Sequence, residues 1–300
     1  MEKPSLYSNL YMQDKYTAVW VSHSSMSDFL ECPRAYYLKN VYRDTATNKK
    51  INIMSPALAL GQSVHEVLES LSVLPKQSRF NTPLIERFHE AWKKLSGKRG
   101  GFFSDSTEFK FKSRGEDMIR RVSREPGPLA KPAVKIQKDL PFYWLSEEDN
   151  IILCGKIDWL EYMPDDDTVH IIDFKTGKSV EDVQSLQLPI YHLLVHNCQN
   201  RRVTKASYWY LEQDSGMVEK ELPPLEDAHK KVLTIAQKMK LARQLDHFSC
   251  PQGDGGCHAC KPFELILQGQ GELVGVDNFG NNVYVFDRTS RDDERNSMIL

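Results

Sequence analysis

Two aspartates and a lysine stand on either side of one predicted turn of the chain. Strand-like runs of apolar residues flank the segment 164–167, Pro-Asp-Asp-Asp, whose composition is typical of a turn. If the middle two residues of this turn form the hairpin tip, Asp158 lies opposite Asp173, with Cβ atoms roughly 5 Å apart. Lys175 follows Asp173 by two residues and therefore points to the same face of the strand. The spacing predicts that these three side chains converge.

Such a trio suits the binding of a divalent metal ion. Two carboxylates this close raise each other's pKa and destabilise the fold unless a cation lies between them. Mg²⁺ or Mn²⁺ prefers carboxylate oxygens, lowers the pKa of a bound water and neutralises charge that develops on a phosphate. Lys175 could orient that water, or deprotonate it if the site depresses the lysine pKa. The simpler alternative is a solvent-facing strand with an ordinary Lys175–Asp173 salt bridge.

Two predicted helices carry further polar residues at helical spacing. Gly61, His65 and Glu69 recur every four residues beside an apolar stripe, which puts them on one helix face. His65 is either a neutral nitrogen ligand for the metal or a buried, hydrogen-bonded histidine. Gln187 and Tyr191 have the same spacing after the hairpin, where they either face the strand of Lys175 or form a packed helix start.

Four cysteines form a second candidate site. Cys32 stands alone near the N-terminus, whereas Cys250, Cys257 and Cys260 follow one another as C-x6-C-x2-C in a glycine-rich segment that can wrap a metal. His258 could replace one thiolate in a zinc site. The other two cysteines, at positions 154 and 198, have apolar neighbours and are predicted to be inert core thiols.

Helices come first in the predicted order of elements, and strands follow. A helix is predicted within 22–42, with Ser24 or Ser25 as its N-cap, and a polar loop over 44–54 follows it. Further helices are predicted over 56–73, 82–95, 105–125, 181–198 and 224–246. Strands are predicted over 134–145, 150–162 and 168–174 as a meander, over 205–213 and 216–222 as a pair around 214–215, and over 272–287 as a hairpin. This order predicts an α/β (mixed α+β) fold with a central mixed β-sheet flanked by helices.

Composition sets outer limits on the class of protein. The 300 residues carry a formal net charge of −2, which excludes a uniformly basic nucleic-acid coat but not a local basic channel. No run reaches 18 apolar residues, and the N-terminus has no continuous apolar stretch, so we expect a cytoplasmic chain without a membrane span or signal peptide. Six cysteines are too few for a disulfide scaffold. No P-loop motif occurs, so any helicase would be a separate partner.

Five motifs in this order resemble the RecB-like branch of the PD-(D/E)xK nuclease superfamily. They are C-P-R-A-Y-Y-L (32–38), G-x-x-x-H-E-x-x-E (61–69), G-K-I-D (155–158), I-I-D-F-K-T-G (171–177) and Q-L-P-I-Y (187–191). Stand-alone RecB-family and CRISPR-associated iron–sulfur exonucleases share this pattern. The resemblance implies a restriction-endonuclease-like core over 22–262, with a lead-in over 1–21, a helical insertion over about 74–130, and a hairpin and tail over 263–300.

The resemblance also implies roles for the residues of the hairpin. His65, Asp158 and Asp173 would bind Mg²⁺ or Mn²⁺, with the carbonyl of Phe174 as a further ligand. Asp158 and Asp173 would thus be catalytic together with Lys175, the catalytic lysine of the pattern.

Other positions of the pattern are implied to support the lysine or to contact nucleic acid. Gln187 and Tyr191 match the motif for both roles, and Arg34 matches a nucleic-acid-binding position, with a helix salt bridge as its alternative. Glu69 is expected behind the metal ligands or on the helix surface.

For the cysteines, the resemblance implies a [4Fe–4S] cluster that joins the two ends of the nuclease domain. Cys32, Cys250, Cys257 and Cys260 would be its ligands. The usual pattern places C-x2-C before the longer gap, whereas here the longer gap comes first, so a Cys₄ zinc site and a group without metal are the alternatives.

The resemblance implies metal-dependent hydrolysis of DNA. We expect an exonuclease or endonuclease, with an exonuclease acting on single strands or free ends as the favoured form. Two alternatives stay open: a non-catalytic DNA-binding or scaffolding subunit of a recombination or repair complex, and an RNA-directed nuclease. Basic segments at 93–99, 110–124 and 230–243 are candidate phosphate contacts or solvated helix faces.

Overall fold

The computed structural model of the chain describes residues 15–138, 140–182, 184–213 and 216–287. The first 14 residues of the predicted lead-in, the turn predicted at 214–215 and the polar tail from residue 288 lie outside this range. The helices are α1 His23–Glu31, α2 Pro33–Tyr36, α3 Pro56–Ser70, α4 Leu84–Lys93, α5 Asp105–Arg124, α6 Gln187–Cys198, α7 Leu225–Gln244 and α8 Lys261–Leu267. The strands are β1 Val19–Val21, β2 Ile51–Ile53, β3 Phe142–Ser146, β4 Ile151–Cys154, β5 Trp159–Met163, β6 Thr168–Lys175, β7 Arg202–Tyr210, β8 Met217–Lys220, β9 Glu272–Val276 and β10 Asn282–Val285.

A four-stranded mixed sheet in the order β5-β6-β7-β8 positions the hairpin residues. β6 pairs antiparallel with β5 and parallel with β7, and β8 closes the sheet antiparallel to β7. Seven of the eight residues of β6 are buried, since helices cover both faces of this strand. The strand therefore buries polar side chains, Thr168, His170 and Asp173, together with its apolar ones.

Alternate residues of β6 belong to different apolar clusters on the two faces of the sheet. Ile171 lies in a cluster with Leu194 of α6, and α7 contributes to the same layer. Ile172 lies in a second cluster with Leu68 of α3, which α4 and α5 complete. Because side chains alternate along a strand, Asp173 faces the α6 side with Ile171. The carboxyl end of β6 is thus flanked by α6 on one face and α3 on the other.

Two three-stranded mixed sheets complete the fold. One has the order β1-β4-β3 and contacts α7, and the other has the order β2-β10-β9. β1 is parallel to β4, and β2 is parallel to β10, while the other pairs are antiparallel. The predicted fold class is confirmed as a mixed α/β structure with mixed sheets flanked by helices.

The first predicted helix is broken at Cys32. This residue is extended, with φ −161° and ψ 112°, because the residue before a proline is disfavoured in the α conformation, and Pro33 opens α2. The last turn, Tyr37–Val41, is π-helical. The N-cap is Ser22, which forms a capping box with Ser25, and not Ser24 or Ser25 as predicted.

The predicted three-strand meander is divided between two sheets. The expected strand over 150–162 splits into β4 and β5, because the chain leaves one sheet at Gly155 and enters the next at Trp159. Gly155 N donates to Pro141 O at 3.1 Å, which holds the start of this crossing against β3. The strand expected over 134–145 begins only at Phe142. The crossing delivers Asp158 to the first position before β5.

Two short strands lie where the sequence predicted irregular structure. β1 ends the predicted lead-in, and β2 lies within the predicted loop over 44–54. They form strands because they pair with β4 and β10, which lie far along the chain, and no local pattern therefore predicts them. The other predicted helices and the 272–287 hairpin are confirmed, with α6 beginning six residues later than predicted.

Candidate active site

The β5–β6 hairpin places two carboxylates opposite each other. Trp159 pairs with Ile172, and this register sets Asp158, one residue earlier, opposite Asp173. Asp158 Oδ2 accepts a hydrogen bond from Phe174 N at 2.8 Å, which ties it to the neighbouring strand. The register predicted from the turn is therefore confirmed.

Helix α3 brings His65 to the end of this hairpin. His65 Nε2 lies 3.1 Å from Phe174 O, and His65 Nδ1 lies 3.5 Å from Asp158 Oδ2. One turn earlier, a Cβ added to Gly61 would lie 3.3 Å from Thr176 Oγ1, so the glycine permits the close approach of α3 to the end of β6. The spacing of Gly61 and His65 thus has a structural reason.

Glu69 joins His65 and Asp158 in a group that could hold a metal ion. Its Oε1 lies 3.2 Å from His65 Nδ1, and one donor atom from each of the three residues lies within 4.8 Å of the other two. Lys156 forms an ion pair with the second oxygen of Glu69. Burial lowers the pKa of His65, but the carboxylates of Asp158 and Glu69 outweigh this effect and raise it to about 10. Glu69 therefore lies among the potential ligands, not on the helix surface.

Asp173 is oriented by α6 and by its own strand. Gln187 Nε2 donates to Asp173 Oδ1 at 2.6 Å, and Lys175 Nζ lies 3.1 Å from Asp173 Oδ2. Oδ2 is buried, and the Lys175 ammonium is its partner among the described residues. Burial, followed by the charge of Asp158, raises the pKa of Asp173.

Lys175 lies among acceptors and an aromatic ring. Its Nζ donates to Gln187 Oε1, forms ion pairs with Asp173 and with Glu181 at 2.9 Å, and sits 4.7 Å from the centre of the Tyr208 ring. Burial lowers the pKa of Lys175, but Asp173 and Glu181 raise it above its ordinary value. A depressed pKa was the condition for Lys175 to deprotonate a water. The neighbouring carboxylates favour a charged ammonium that can orient a water or face a phosphate, and deprotonation of a water by Lys175 stays a prediction.

Gln187, the first residue of α6, links this helix to β6. Its amide contacts Asp173, Lys175 and, at 3.3 Å, the hydroxyl of Tyr191. Gln187 and Tyr191 are each only 8% exposed, and their polar atoms are directed to the protein. They are thus brought together behind Lys175, as the spacing predicted, and their contact with nucleic acid stays a prediction.

Sequence reasoning missed Glu181, the second carboxylate on Lys175. It lies in the connection between β6 and α6, where no periodicity or motif distinguishes it from its neighbour Asp182. Its position six residues after Lys175 was the only available signal.

The four cysteines of the second site meet in one buried group. All four Sγ atoms lie within 4.8 Å of one another, and Cys257 Sγ is 3.8 Å from Cys260 Sγ. None of the four is in a disulfide. Cys32 caps the N-terminus of α2, and Cys260 occupies the N-cap position of α8. The group therefore joins segments that are more than 200 residues apart in the chain.

A family model for the PD-(D/E)XK nuclease superfamily matches residues 20–262 of this chain. The chain belongs to this superfamily. The match covers the hairpin, α3, α6 and all four clustered cysteines, so the geometry described above lies within it. No curated protein matches the chain. The RecB-like branch predicted from the motifs goes beyond this match.

The donor set of this PD-(D/E)XK nuclease fits the divalent metal that the superfamily uses. Carboxylate oxygens are hard ligands of the kind that Mg²⁺ and Mn²⁺ accept, and the imidazole adds a borderline nitrogen donor. The donor atoms of His65, Glu69 and Asp158 lie within 4.8 Å of one another, and the carboxylate of Asp158 raises the pKa of the buried Asp173, so a cation among these carboxylates would relieve their repulsion. Phe174 O, beside His65, lies where the resemblance implied a carbonyl ligand.

Arg34 and His258 lie beside the cysteine group. Arg34 forms an ion pair with Glu264, and its Nη1 donates to Asp254 O at 3.4 Å, which corresponds to the salt-bridge alternative. Its predicted contact with nucleic acid stays a prediction. His258 is exposed and lies 2.8 Å from Glu31, so it does not replace a thiolate in the described group.

The basic segments of the nuclease carry many internal ion pairs. Arg114 binds Glu212 at 2.7 Å, Lys94 pairs with Glu66, and Lys240 lies 3.5 Å from Asp149. Among the described residues, no helix is both long enough and apolar enough to cross a membrane.

Proposed function

We propose that this chain is a metal-dependent deoxyribonuclease, and specifically an exonuclease that acts on single strands or free DNA ends. Membership of the nuclease superfamily supports phosphodiester hydrolysis. The observation that carries the proposal is the group of His65, Asp158 and Glu69 at the end of β6, with Asp173 opposite Asp158 and Lys175 beside Asp173.

The residues divide the work of hydrolysis between them. When bound, Mg²⁺ or Mn²⁺ lowers the pKa of a water and polarises the phosphate. We propose that His65, Asp158 and Asp173 hold the ion, with Glu69 and the Phe174 carbonyl beside them. Lys175, kept charged by its carboxylate neighbours, stabilises the negative charge that grows on the phosphate as the water oxygen attacks and the leaving oxygen departs.

Gln187 has a positioning role in this proposal. Its amide NH₂ donates to Asp173 and its amide oxygen accepts from Lys175, so one side chain fixes the ligand and the lysine relative to each other. Tyr191 in turn contacts Gln187 from the next turn of α6. Such support keeps the reacting groups within a narrow geometry before the substrate binds.

The experiment is cleavage of end-labelled single-stranded DNA with Mn²⁺ or Mg²⁺. We expect Asp173→Ala and Lys175→Ala each to abolish cleavage, while Asp166→Ala, an aspartate at the exposed hairpin tip, serves as the matched control. Wild-type protein that cuts no better than the two variants would overturn the enzyme and favour a non-catalytic DNA-binding subunit. The label also reports the direction of digestion.

The same assay tests whether DNA or RNA is cut and whether a free end is required. We expect linear single-stranded DNA to be degraded, circular single-stranded DNA to survive, and RNA of the same sequence to be spared. Preferential cleavage of RNA would favour the RNA-directed alternative. Cleavage of the circular DNA would show that no free end is needed, and the enzyme would then be an endonuclease. A separate helicase or recombination partner would supply single strands, since the sequence has no P-loop.

The cysteine group has a structural role in this proposal. Its centre would join α2 to α8, as a [4Fe–4S] cluster by the resemblance or as a zinc site by the sulfur spacing. The six unbridged cysteines agree with the reducing cytoplasm, where we place the protein.

A further inference from the structure

The spacing of the four cysteine sulfurs distinguishes between the two kinds of metal centre. Each Sγ lies within 4.8 Å of the other three. The four side chains are at most 7% exposed and free of disulfides, so this spacing belongs to a closed, all-thiol cage. The geometry of the cage can be compared with what one ion or a cluster requires.

A single tetrahedral ion fits this cage. Zinc binds thiolates at about 2.3 Å, which places the sulfurs of a tetrahedral site about 3.8 Å apart. The Cys257–Cys260 spacing is 3.8 Å. Four atoms within 4.8 Å of one another lie no further than about 2.9 Å from a common centre, so the remaining adjustment to the zinc–sulfur bond length is small.

A cubane cluster does not fit it. In a [4Fe–4S] cluster each thiolate binds its own iron and lies further from the centre than that iron. With iron–thiolate bonds about as long as zinc–thiolate bonds, all four irons would lie within about 0.6 Å of one point. Atoms cannot approach so closely, so a cluster would require the cysteine segments to move apart.

The loop around Cys260 is wound tightly. Gly256 has φ +71°, and a Cβ there would lie 3.1 Å from Cys260 Sγ, so a glycine is needed for the backbone to pass the sulfur. Backbone N–H groups also point at the sulfurs: Cys257 N donates to Cys260 Sγ at 3.1 Å, and Ala35 N to Cys32 Sγ at 3.4 Å. Hydrogen bonds of this kind orient metal ligands and favour thiolates.

We propose that Cys32, Cys250, Cys257 and Cys260 bind one structural Zn²⁺ ion in place of an iron–sulfur cluster. The ion joins the N-terminus of α2 to that of α8 inside an apolar cluster that includes Leu38 and Phe263. The zinc site is independent of the nuclease proposal, because it uses none of the active-site residues.

The test is the metal content of the full chain, purified without oxygen and without added metal. We expect one zinc per chain, no acid-labile sulfide and a colourless solution. About four irons with matching sulfide and a broad visible absorbance would overturn the proposal, and so would a single iron without sulfide. The metal content is measured without a cleavage assay, so a failure of the nuclease proposal would not change the result of this test.

Variants assign the zinc to the cysteine group. We expect Cys257→Ser to reduce zinc at least tenfold, whereas Cys198→Ser and Asp158→Asn retain it. Zinc that survives in Cys257→Ser but is lost in Asp158→Asn would place the ion in the active site and overturn the proposal. If Cys257→Ser does not fold, Co²⁺ exchanged into the wild-type chain provides the decision, because a tetrahedral all-thiolate site gives intense visible bands and an oxygen-ligated site does not.

Discussion

The active site and the cysteine group contrast in donor type and in access to solvent. The active site combines an imidazole with carboxylates, and the side chains of His65 and Lys175 are 27% and 17% exposed. The cysteine group offers only sulfur and is closed by burial of all four residues. Catalytic metal sites keep a position open for water or substrate, whereas structural zinc sites are closed by protein ligands. If both proposals hold, the contrast teaches that one fold would carry an exchangeable ion at the open site and a permanent one at the closed site.

The two regions also differ in how they depend on the fold. Sheet pairing and two helices on opposite faces position the active site, so its geometry exists before the ion binds. The cysteine loop, by contrast, contains turns and no strand, and a bound metal would supply its order. Loss of metal should therefore affect activity at the first site and stability at the second.

The largest effect is expected from Asp158→Asn, which keeps the shape of the side chain but removes a charge between His65 and Asp173. We expect cleavage to fall more than about 100-fold, because the donor set for the ion loses an anionic oxygen. Thermal stability should change little, since the relief of repulsion with Asp173 offsets the loss of the ion pair with His65. The measurement compares the cleavage rate and the melting temperature of this variant with those of the control Asp166→Asn. A large fall in the melting temperature of Asp158→Asn, alongside the loss of cleavage, would contradict a separation of activity and stability between the two regions.

Cys32→Ser is the converse change, with stability as its main readout. We expect the free energy of unfolding to fall by about 3 kcal/mol and the melting temperature by about 5–10 °C. Cleavage per folded molecule should change little at a temperature where the variant is folded. Cys198→Ser, a half-buried cysteine outside the group, is the control. Equal melting temperatures for the two variants would show that no metal stabilises the α2–α8 connection.

A smaller effect is expected from Glu69→Gln. The carboxylate of Glu69 lies within the potential donor group, so its loss should raise the Mg²⁺ concentration needed for half-maximal cleavage by about tenfold. Glu66→Gln changes an exposed glutamate on the same helix, paired with Lys94, and should leave the Mg²⁺ dependence as in the wild type. An unchanged Mg²⁺ requirement in Glu69→Gln would limit the ion's protein ligands to His65 and the aspartates.

The sequence specified the active site better than the cysteine group's surroundings. The β5–β6 register was predictable because a turn-forming segment and a period-2 pattern define a hairpin locally. The break at Cys32 and the pairing of β2 with β10 were not predicted, since the first competes with a helical pattern and the second joins distant segments. Glu181 was missed for a similar reason, because a loop carboxylate has no period that reveals what it contacts. Local patterns thus predicted elements, while contacts between distant segments needed coordinates.

The smallest effect is expected from Glu181→Gln, which tests how much of the lysine's environment comes from outside the family motifs. Glu181 and Asp173 both form ion pairs with Lys175, so one carboxylate and the amide of Gln187 remain to hold the ammonium when Glu181 is changed. We therefore expect kcat to fall only about tenfold with KM nearly constant, because the lysine acts mainly in the transition state. Asp182→Asn, the adjacent carboxylate, is the control, and Glu181→Asp should recover part of the lost rate. A loss as large as that of Lys175→Ala would instead make Glu181 the dominant support of the lysine, and the active site would then depend on a loop as much as on its sheet.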